Sequence, residues 1–286
     1  MKKTNTLRKL WYSLSANQRF LIRRLYFFPS DFKDKLTGKR HKYVAPRGYI
    51  YTGSSANAEE YLKQGEFQLD LLKKFIALQP EDKVLDIGSG VGRTAIALTH
   101  FLNGGGGYEG FDAVEEGVKW CNSKIKKDFP NFNFTYVSLD NDLYNKSNIK
   151  ADNYRFIYEN NTFDKVFLFS VFTHMMPNEI ENYFKEIERV LKPGGRCLST
   201  VFVYDDENEG FISTKEGFSF SVKKDGYRLM SDKVKSANIA ISESKLDEMI
   251  AKTQLEKVSL IDGFWKDMVK EDGELEYQDM LVLKKR

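Results

Sequence analysis

Apolar residues recur along this chain at two periods, and the places where the period changes mark its elements. Leu7, Trp11, Leu14, Leu21, Leu25 and Phe28 fall three, four or seven residues apart, with Gln18 the polar interruption. That is the spacing of an amphipathic helix, or of two. Arg8, Lys9, Arg19, Arg23 and Arg24 decorate it. Phe28-Pro29-Ser30 is expected to end it, since proline lacks the N–H that a helix interior requires. Its apolar side is expected to pack on the chain's own domain; the other reading is a helix for a membrane surface or a dimer. A loop-like stretch from Leu36 to Asn57 follows, with Tyr49-Ile50-Tyr51 as a short apolar run.

From Glu66 onward the pattern is regular. Phe67, Leu71, Leu72, Phe75 and Ile76 form a helical face that stops at Pro80. Strands are predicted at 83–87, 108–111, 132–137, 165–169 and 196–203, and helices at 93–102, 114–127 and 177–191. Such alternation predicts βαβ units and a parallel, doubly wound sheet. After Val203 the rhythm changes. Residues 204–240 are polar, with Tyr204, Phe211, Phe218, Phe220 and Tyr227 set among glycines. A helix at 242–252 and strands at 257–262 and 280–284 close the chain. No helix-length segment separates those last two strands, so they are expected to pair as an antiparallel hairpin at one end of the sheet. The organisation expected is a basic, partly helical extension and lid over 1–58, then one α/β domain over 59–286 with a substrate-recognition insertion at 204–240.

Composition narrows the class. The chain has 286 residues, 41% hydrophobic and 30% charged, and no apolar run approaches the ~20 residues that span a bilayer. No apolar stretch with a cleavage site follows the basic start, so no secretory signal is expected. Cys121 and Cys197 stand far apart without metal-ligand spacing, so a reducing cytoplasm is expected, with neither disulfide framework nor metal site. The net charge of +3 hides an asymmetry: through Arg47, thirteen Lys or Arg face two acids, leaving +11 there and −8 on the remainder. Such an arm suits anionic lipid headgroups, an acidic substrate or nucleic acid, or it folds against an acidic body.

Candidate chemistry centres on Asp86-Ile87-Gly88-Ser89-Gly90-Val91-Gly92-Arg93, where a strand turns into a helix. Glycines there allow a ligand close to the backbone, and the free N–H groups at the helix start receive polar atoms. A glycine loop also occurs in dinucleotide-binding domains. Asp86 beside it suits an amine-bearing ligand better than a pyrophosphate. Asp112, ending the next strand, is placed to accept from ribose hydroxyls, as it would be in a nicotinamide enzyme.

Together with Phe163-Asp164-Lys165-Val166, Ser170-Val171-Phe172-Thr173-His174-Met175 and Arg189-Val190-Leu191-Lys192-Pro193-Gly194-Gly195, this loop resembles the successive motifs of class I S-adenosylmethionine-dependent methyltransferases over roughly residues 60–203. The resemblance implies a Rossmann-like sheet of seven strands, six parallel and the last antiparallel, with helices on both faces and S-adenosylmethionine at its carboxyl edge. It implies Gly88, Ser89, Gly90 and Gly92 under the methionine part of the cofactor and Asp86 near its amino group. Asp112 would hold the ribose, Asp140 or Asn141 would reach the adenine, and Ser170 would line the cofactor. Asp140 also reads as a plain turn residue. Tyr51 and Gly53 fall where relatives close a lid, and the connection 146–161 is long enough to cover the cofactor.

His174 is the histidine nearest the expected active edge. It serves either as a base for a hydroxyl acceptor or as a brace for its loop. The fourth strand lacks the Asn/Asp-Pro-Pro-aromatic pattern of base-amino methyltransferases, and no acid cluster follows it to hold magnesium. The expected activity is O-methylation of a sugar or small hydroxylated metabolite, in the cytoplasm or at the membrane periphery, with nucleic acid not expected as partner. The alternatives are a catalytically silent S-adenosylmethionine-binding protein and an NAD-dependent oxidoreductase.

Overall fold

The computed structural model describes residues 11, 14–51, 53, 55–266 and 276–286. Leu7, Arg8 and Lys9 of the N-terminal pattern lie outside them. The chain divides into two compact units, residues 1–138 and 139–286.

The first unit opens with α1 (Ala16–Thr37), held at its start by a reciprocal cap between Ser15 and Gln18 and ended by Gly38 at φ 63°. It runs straight through Pro29, which therefore does not end it. The carbonyl that Pro29 leaves without its usual helical donor belongs to Leu25, itself an exposed residue. Polar contacts hold the helix down. Asp31 accepts from the backbone N–H of Arg47 (2.8 Å) and Gly48 (3.0 Å). Asp34 pairs with Arg47, and Arg24 reaches Glu116 at 3.1 Å. The expected packing is thus inverted: charged and polar groups face inward, while Leu21, Leu25 and Phe28 are exposed.

Next come α2 (Ala58–Ile76), capped by Asn57, and the unit's strands β1 (Lys83–Ile87), β2 (Gly107–Asp112) and β3 (Phe132–Tyr136). The strands pair in parallel in the order β3-β2-β1. Between them lie α3 (Arg93–Leu98) and α4 (Glu115–Cys121), the latter continued by a π-helical turn, Asn122–Lys126. Tyr108 stacks on Phe132 with ring centroids 5.0 Å apart, so one aromatic layer crosses β2 and β3.

In the second unit, β4 (Phe163–Leu168) pairs in parallel with β5 (Leu191–Tyr204), and α5 (Pro177–Val190) connects them. β5 begins five residues before the expected Arg196. Its pairing skips from Leu191 opposite Phe163 to Arg196 opposite Lys165, so Lys192-Pro193-Gly194-Gly195 bulge out of the ladder. Residues 204–240 fold into α6 (Glu209–Thr214), the hairpin β6 (Val222–Lys224)–β7 (Tyr227–Leu229), and β8 (Ile239–Ser242), which runs parallel to the end of β5. Phe202, Tyr204, Ile212, Phe220, Ala240 and Trp265 form a compact core beneath them.

After α7 (Glu243–Ala251), the strands β9 (Leu255–Ile261) and β10 (Asp279–Lys285) pair antiparallel as expected. β10 is not an edge, however, because it also pairs antiparallel with β5. Met280 through Leu283 are each no more than 1% exposed, as an interior strand demands. The connection 146–161 is stitched along α5 rather than left free. Asn182 donates to the carbonyls of Ala151 and Tyr154 (both 2.9 Å), and Arg189 donates to those of Phe156 (3.0 Å) and Tyr158 (2.7 Å).

Candidate functional site

In the first unit, β1 carries Asp86 into a buried position and turns into the glycine loop. Gly88, Gly90 and Gly92 all have positive φ, and Gly92 caps α3. The loop is tied to the end of β2: the N–H groups of Gly88 and Ser89 donate to the Phe111 carbonyl at 2.8 and 3.1 Å. Gly90 N–H donates to Asp112 Oδ2 at 2.8 Å. A side chain at Gly92 would fall 2.6 Å from Ile125 Cδ1 and 3.0 Å from Cys121 Sγ, so α4 and its π turn press closely on this corner.

Two buried carboxyls converge on the loop. Asp112 Oδ1 accepts from Val114 N–H (2.8 Å) and from the Tyr51 hydroxyl (3.0 Å). Burial raises its pKa, against the pull of the N–H groups of Val114 and Gly90 and the Tyr51 hydroxyl. Asp86 accepts from the Tyr108 hydroxyl at 2.6 Å. Burial pushes the Asp86 carboxyl up to about 7; the Tyr108 bond opposes this and the Asp112 charge adds to it. The Tyr108 contact is new to the structure, but the sequence pattern holds a trace of it. Tyr108 and Gly110 share one face of β2 by alternation. A Cβ at Gly110 would meet the Tyr108 hydroxyl at 2.7 Å and the Ser89 Cβ at 3.0 Å. Glycine stands at 110 so that the tyrosine and the loop can close up.

These residues fit S-adenosylmethionine. The Ser89 hydroxyl is buried without a hydrogen-bond partner among the described residues, and a polar ligand atom would satisfy it. Asp112 offers two oxygens with about four acceptor positions; Val114 and Tyr51 donate to Oδ1 and Gly90 to Oδ2. Two carboxyls in a buried site favour a cationic ligand. Tyr51, from the expected lid segment, touches the same carboxylate and also packs edge-on against Phe20 of α1 (5.7 Å). No contact of Gly53 stands out.

In the second unit, Ser170 follows β4 at φ 61°, a left-handed conformation for a residue with a side chain. Its N–H donates to Thr200 Oγ1 (2.7 Å) and its hydroxyl to Gln278 Oε1 (3.1 Å). Backbone strain held by such partners recurs at functional sites. His174 sits in a short 3₁₀ turn, Phe172–His174, and its Nδ1 lies 2.7 Å from the Ser236 carbonyl. Burial lowers its pKa below the ordinary 6.5, opposed by the carbonyls of Ser236 and Ala237 and the charge of Asp142. Asp142 accepts from the N–H groups of Lys235 (2.8 Å) and Ser236 (3.1 Å), and so fixes the segment that holds the imidazole.

The two adenine candidates part company. Asn141 Nδ2 donates to the His174 carbonyl at 3.3 Å and its Oδ1 accepts from Leu143 N–H at 3.0 Å, so it braces the histidine loop. Asp140 accepts from Ser147 N–H at 3.1 Å and pairs with Lys150, which holds its pKa low, so its carboxylate serves its own loop. Of the aromatics in the 204–240 segment, Tyr204 and Phe220 are core, while Phe211 is 42% exposed.

Comparison with known proteins gives the same fold. A family model described as a methyltransferase domain matches residues 85–199. The sterol 24-C-methyltransferase erg6 of Schizosaccharomyces pombe is 26% identical over 177 residues, which are 62% of this chain but only 40% of that enzyme's length. The crystal structure of the PH0226 protein from Pyrococcus horikoshii superposes with a TM-score of 0.54 at 19% identity, covering 82% of this chain and 95% of that one. That of the Burkholderia thailandensis 1,6-didemethyltoxoflavin-N1-methyltransferase, with 1,6-didemethyltoxoflavin and S-adenosylhomocysteine bound, does so at 0.51 and 15% identity, covering 95% and 91%. The Rossmann-like fold, the matched domain and a glycine loop flanked by Asp86 and Asp112 agree in making the chain similar to class I S-adenosylmethionine-dependent methyltransferases.

Proposed function

We propose that this protein transfers a methyl group from S-adenosylmethionine to a hydroxyl oxygen of a sugar or other small hydroxylated metabolite, with His174 taking the hydroxyl proton. When bound, the cofactor supplies a methyl group already activated by its positive sulfonium. The protein's part is to align the acceptor oxygen, exclude water and remove a proton. In this reading Asp86 takes the cofactor's amino group, Asp112 a ribose hydroxyl, and the Ser89 hydroxyl a polar atom of its methionine part.

The observation that carries the acceptor reading is the 2.7 Å contact of His174 Nδ1 with the Ser236 carbonyl. A carbonyl only accepts, so Nδ1 bears the proton toward Ser236, and Nε2 of the neutral ring keeps its lone pair. Burial keeps the ring neutral at pH 7. A neutral imidazole of fixed tautomer is equipped to accept a proton from a hydroxyl. The S. pombe relative is named for a carbon acceptor and the Burkholderia enzyme for a nitrogen, so the oxygen assignment rests on His174 and not on them.

The test has two stages. Calorimetric titration with S-adenosylhomocysteine, with NADH in parallel, checks the cofactor; micromolar binding of the former alone is expected. Transfer of labelled methyl from S-adenosylmethionine is then screened on sugars and hydroxylated metabolites, with His174→Ala beside the wild type. Loss of turnover with cofactor affinity intact supports the base. Cofactor binding with no transfer to any hydroxyl compound would favour the silent binder, and NADH binding an oxidoreductase.

A further inference from the structure

We propose that the outward face of α1 is a seat for an anionic lipid surface. Leu21, Ile22, Leu25, Phe28, Phe32 and Leu36 are 44–72% exposed. At roughly 100° per residue they fall in one sector of about 120° around the helix. Lys33 and Lys35, both exposed, stand at its two borders, each roughly 80° from Leu25. Single exposed apolar residues are ordinary on a protein surface, but a continuous stripe of leucine and phenylalanine over four turns marks an interaction face.

The opposite face explains why this stripe is not misplaced core. Both acids of the helix, Asp31 and Asp34, are turned inward against Arg47, and Phe20 packs on Tyr51. The helix is therefore anchored through its polar side, and the outward stripe presents apolar and cationic groups with no carboxylate among the described residues of the helix. Lysines at the border of an apolar stripe can lay their stems along it and keep their ammonium groups at headgroup level. Pro29 fits the same depth. It lies within the stripe, and the Leu25 carbonyl it frees needs water, which the headgroup layer supplies and the hydrocarbon interior does not. Among the described residues no helix is long and apolar enough to cross a membrane.

Charge selects this occupant over a second copy of the chain. The residues through Arg47 carry +11. Pairing two α1 faces would bring two such arms together, whereas an anionic surface neutralises them.

The test is co-sedimentation of the full chain with phosphatidylcholine vesicles made with and without phosphatidylglycerol. The variants are Phe28→Ser/Phe32→Ser and Lys33→Glu/Lys35→Glu, with S-adenosylhomocysteine affinity as the control for intact folding. Binding is expected only to the phosphatidylglycerol vesicles, weakened about tenfold or more in each double variant and weakened by added salt. Absence of vesicle binding by the wild type, or equal binding by the serine variant, overturns the proposal. So does sedimentation velocity showing a dimer that the serine variant dissociates, which would assign the stripe to a second copy.

Discussion

Asp86 holds a carboxyl in a buried place where ionisation is costly, and that sets its chemistry. With its pKa near 7, the side chain is part-protonated at neutral pH, and a cationic amino group placed beside it would favour the ionised form. Binding of S-adenosylhomocysteine near pH 6.5 should therefore release protons. Titration in buffers of different ionisation enthalpy reads this directly, and Asp86→Asn should abolish the release. Asp112→Ala should weaken the same binding by about 1–3 kcal/mol, the scale for unpaired polar groups; unchanged affinity removes it from the ribose. At His174 the sign is opposite, because burial favours the neutral ring. Turnover should fall on acidification through a pKa below 6.5 and be level above it. Asp142→Asn removes a charge that raises that pKa, so its acid limb should move to lower pH along with a reduced kcat. A merely structural Asp142 would leave the limb where it is.

Elements in this chain obey their local signals except where tertiary contacts outweigh them. Proline inside α1 breaks a local rule that costs about 3 kcal/mol in a helix interior, and the polar anchors of the inward face offset it. Pro29→Ala should raise stability by about 1–3 kcal/mol in chemical denaturation, since it restores a donor to the Leu25 carbonyl. No gain would mean that the local backbone has relaxed around the ring. The cap over 204–240 shows the reverse case, a polar-looking segment with a real core. Phe220 is fully buried among Phe202, Ile212 and Trp265, and Phe220→Ala should cost about 3–5 kcal/mol.

For the molecule as a whole, Asp86 and His174 give stability a pH signature. The Asp86 pKa is raised in the fold, from 3.8 to about 7, so its protonated form stabilises the protein below pH 4 and that contribution is lost as pH rises to about 7. A tenfold difference in proton affinity between the folded and unfolded chain is worth about 1.4 kcal/mol. His174, with a lowered pKa, contributes stability that is present above pH ~6.5 and lost as the protein is acidified. Thermal melts should therefore show Asp86→Asn gaining on the wild type as pH rises from 5 to 8, and equal curves at all pH values would mean that Asp86 is not buried in solution.

What the sequence determined by itself is whatever short-range pattern encodes. Strand-loop-helix order, the glycine loop, the acids ending β1 and β2 and the antiparallel pairing of the last two strands all follow from periodicity and spacing, because adjacent residues decide backbone conformation and sidedness. Which face of α1 points inward was decided only in three dimensions. The helical period shows that an apolar stripe exists, but the Asp31 and Asp34 contacts with a turn more than ten residues away determine that the stripe faces out. The same holds for Tyr108 on Asp86, the inside position of β10 between β5 and β9, and the contact of His174 Nδ1 with a carbonyl 62 residues along the chain. Each depends on partners distant in sequence, whose approach is fixed by how the elements pack and not by any pattern within them.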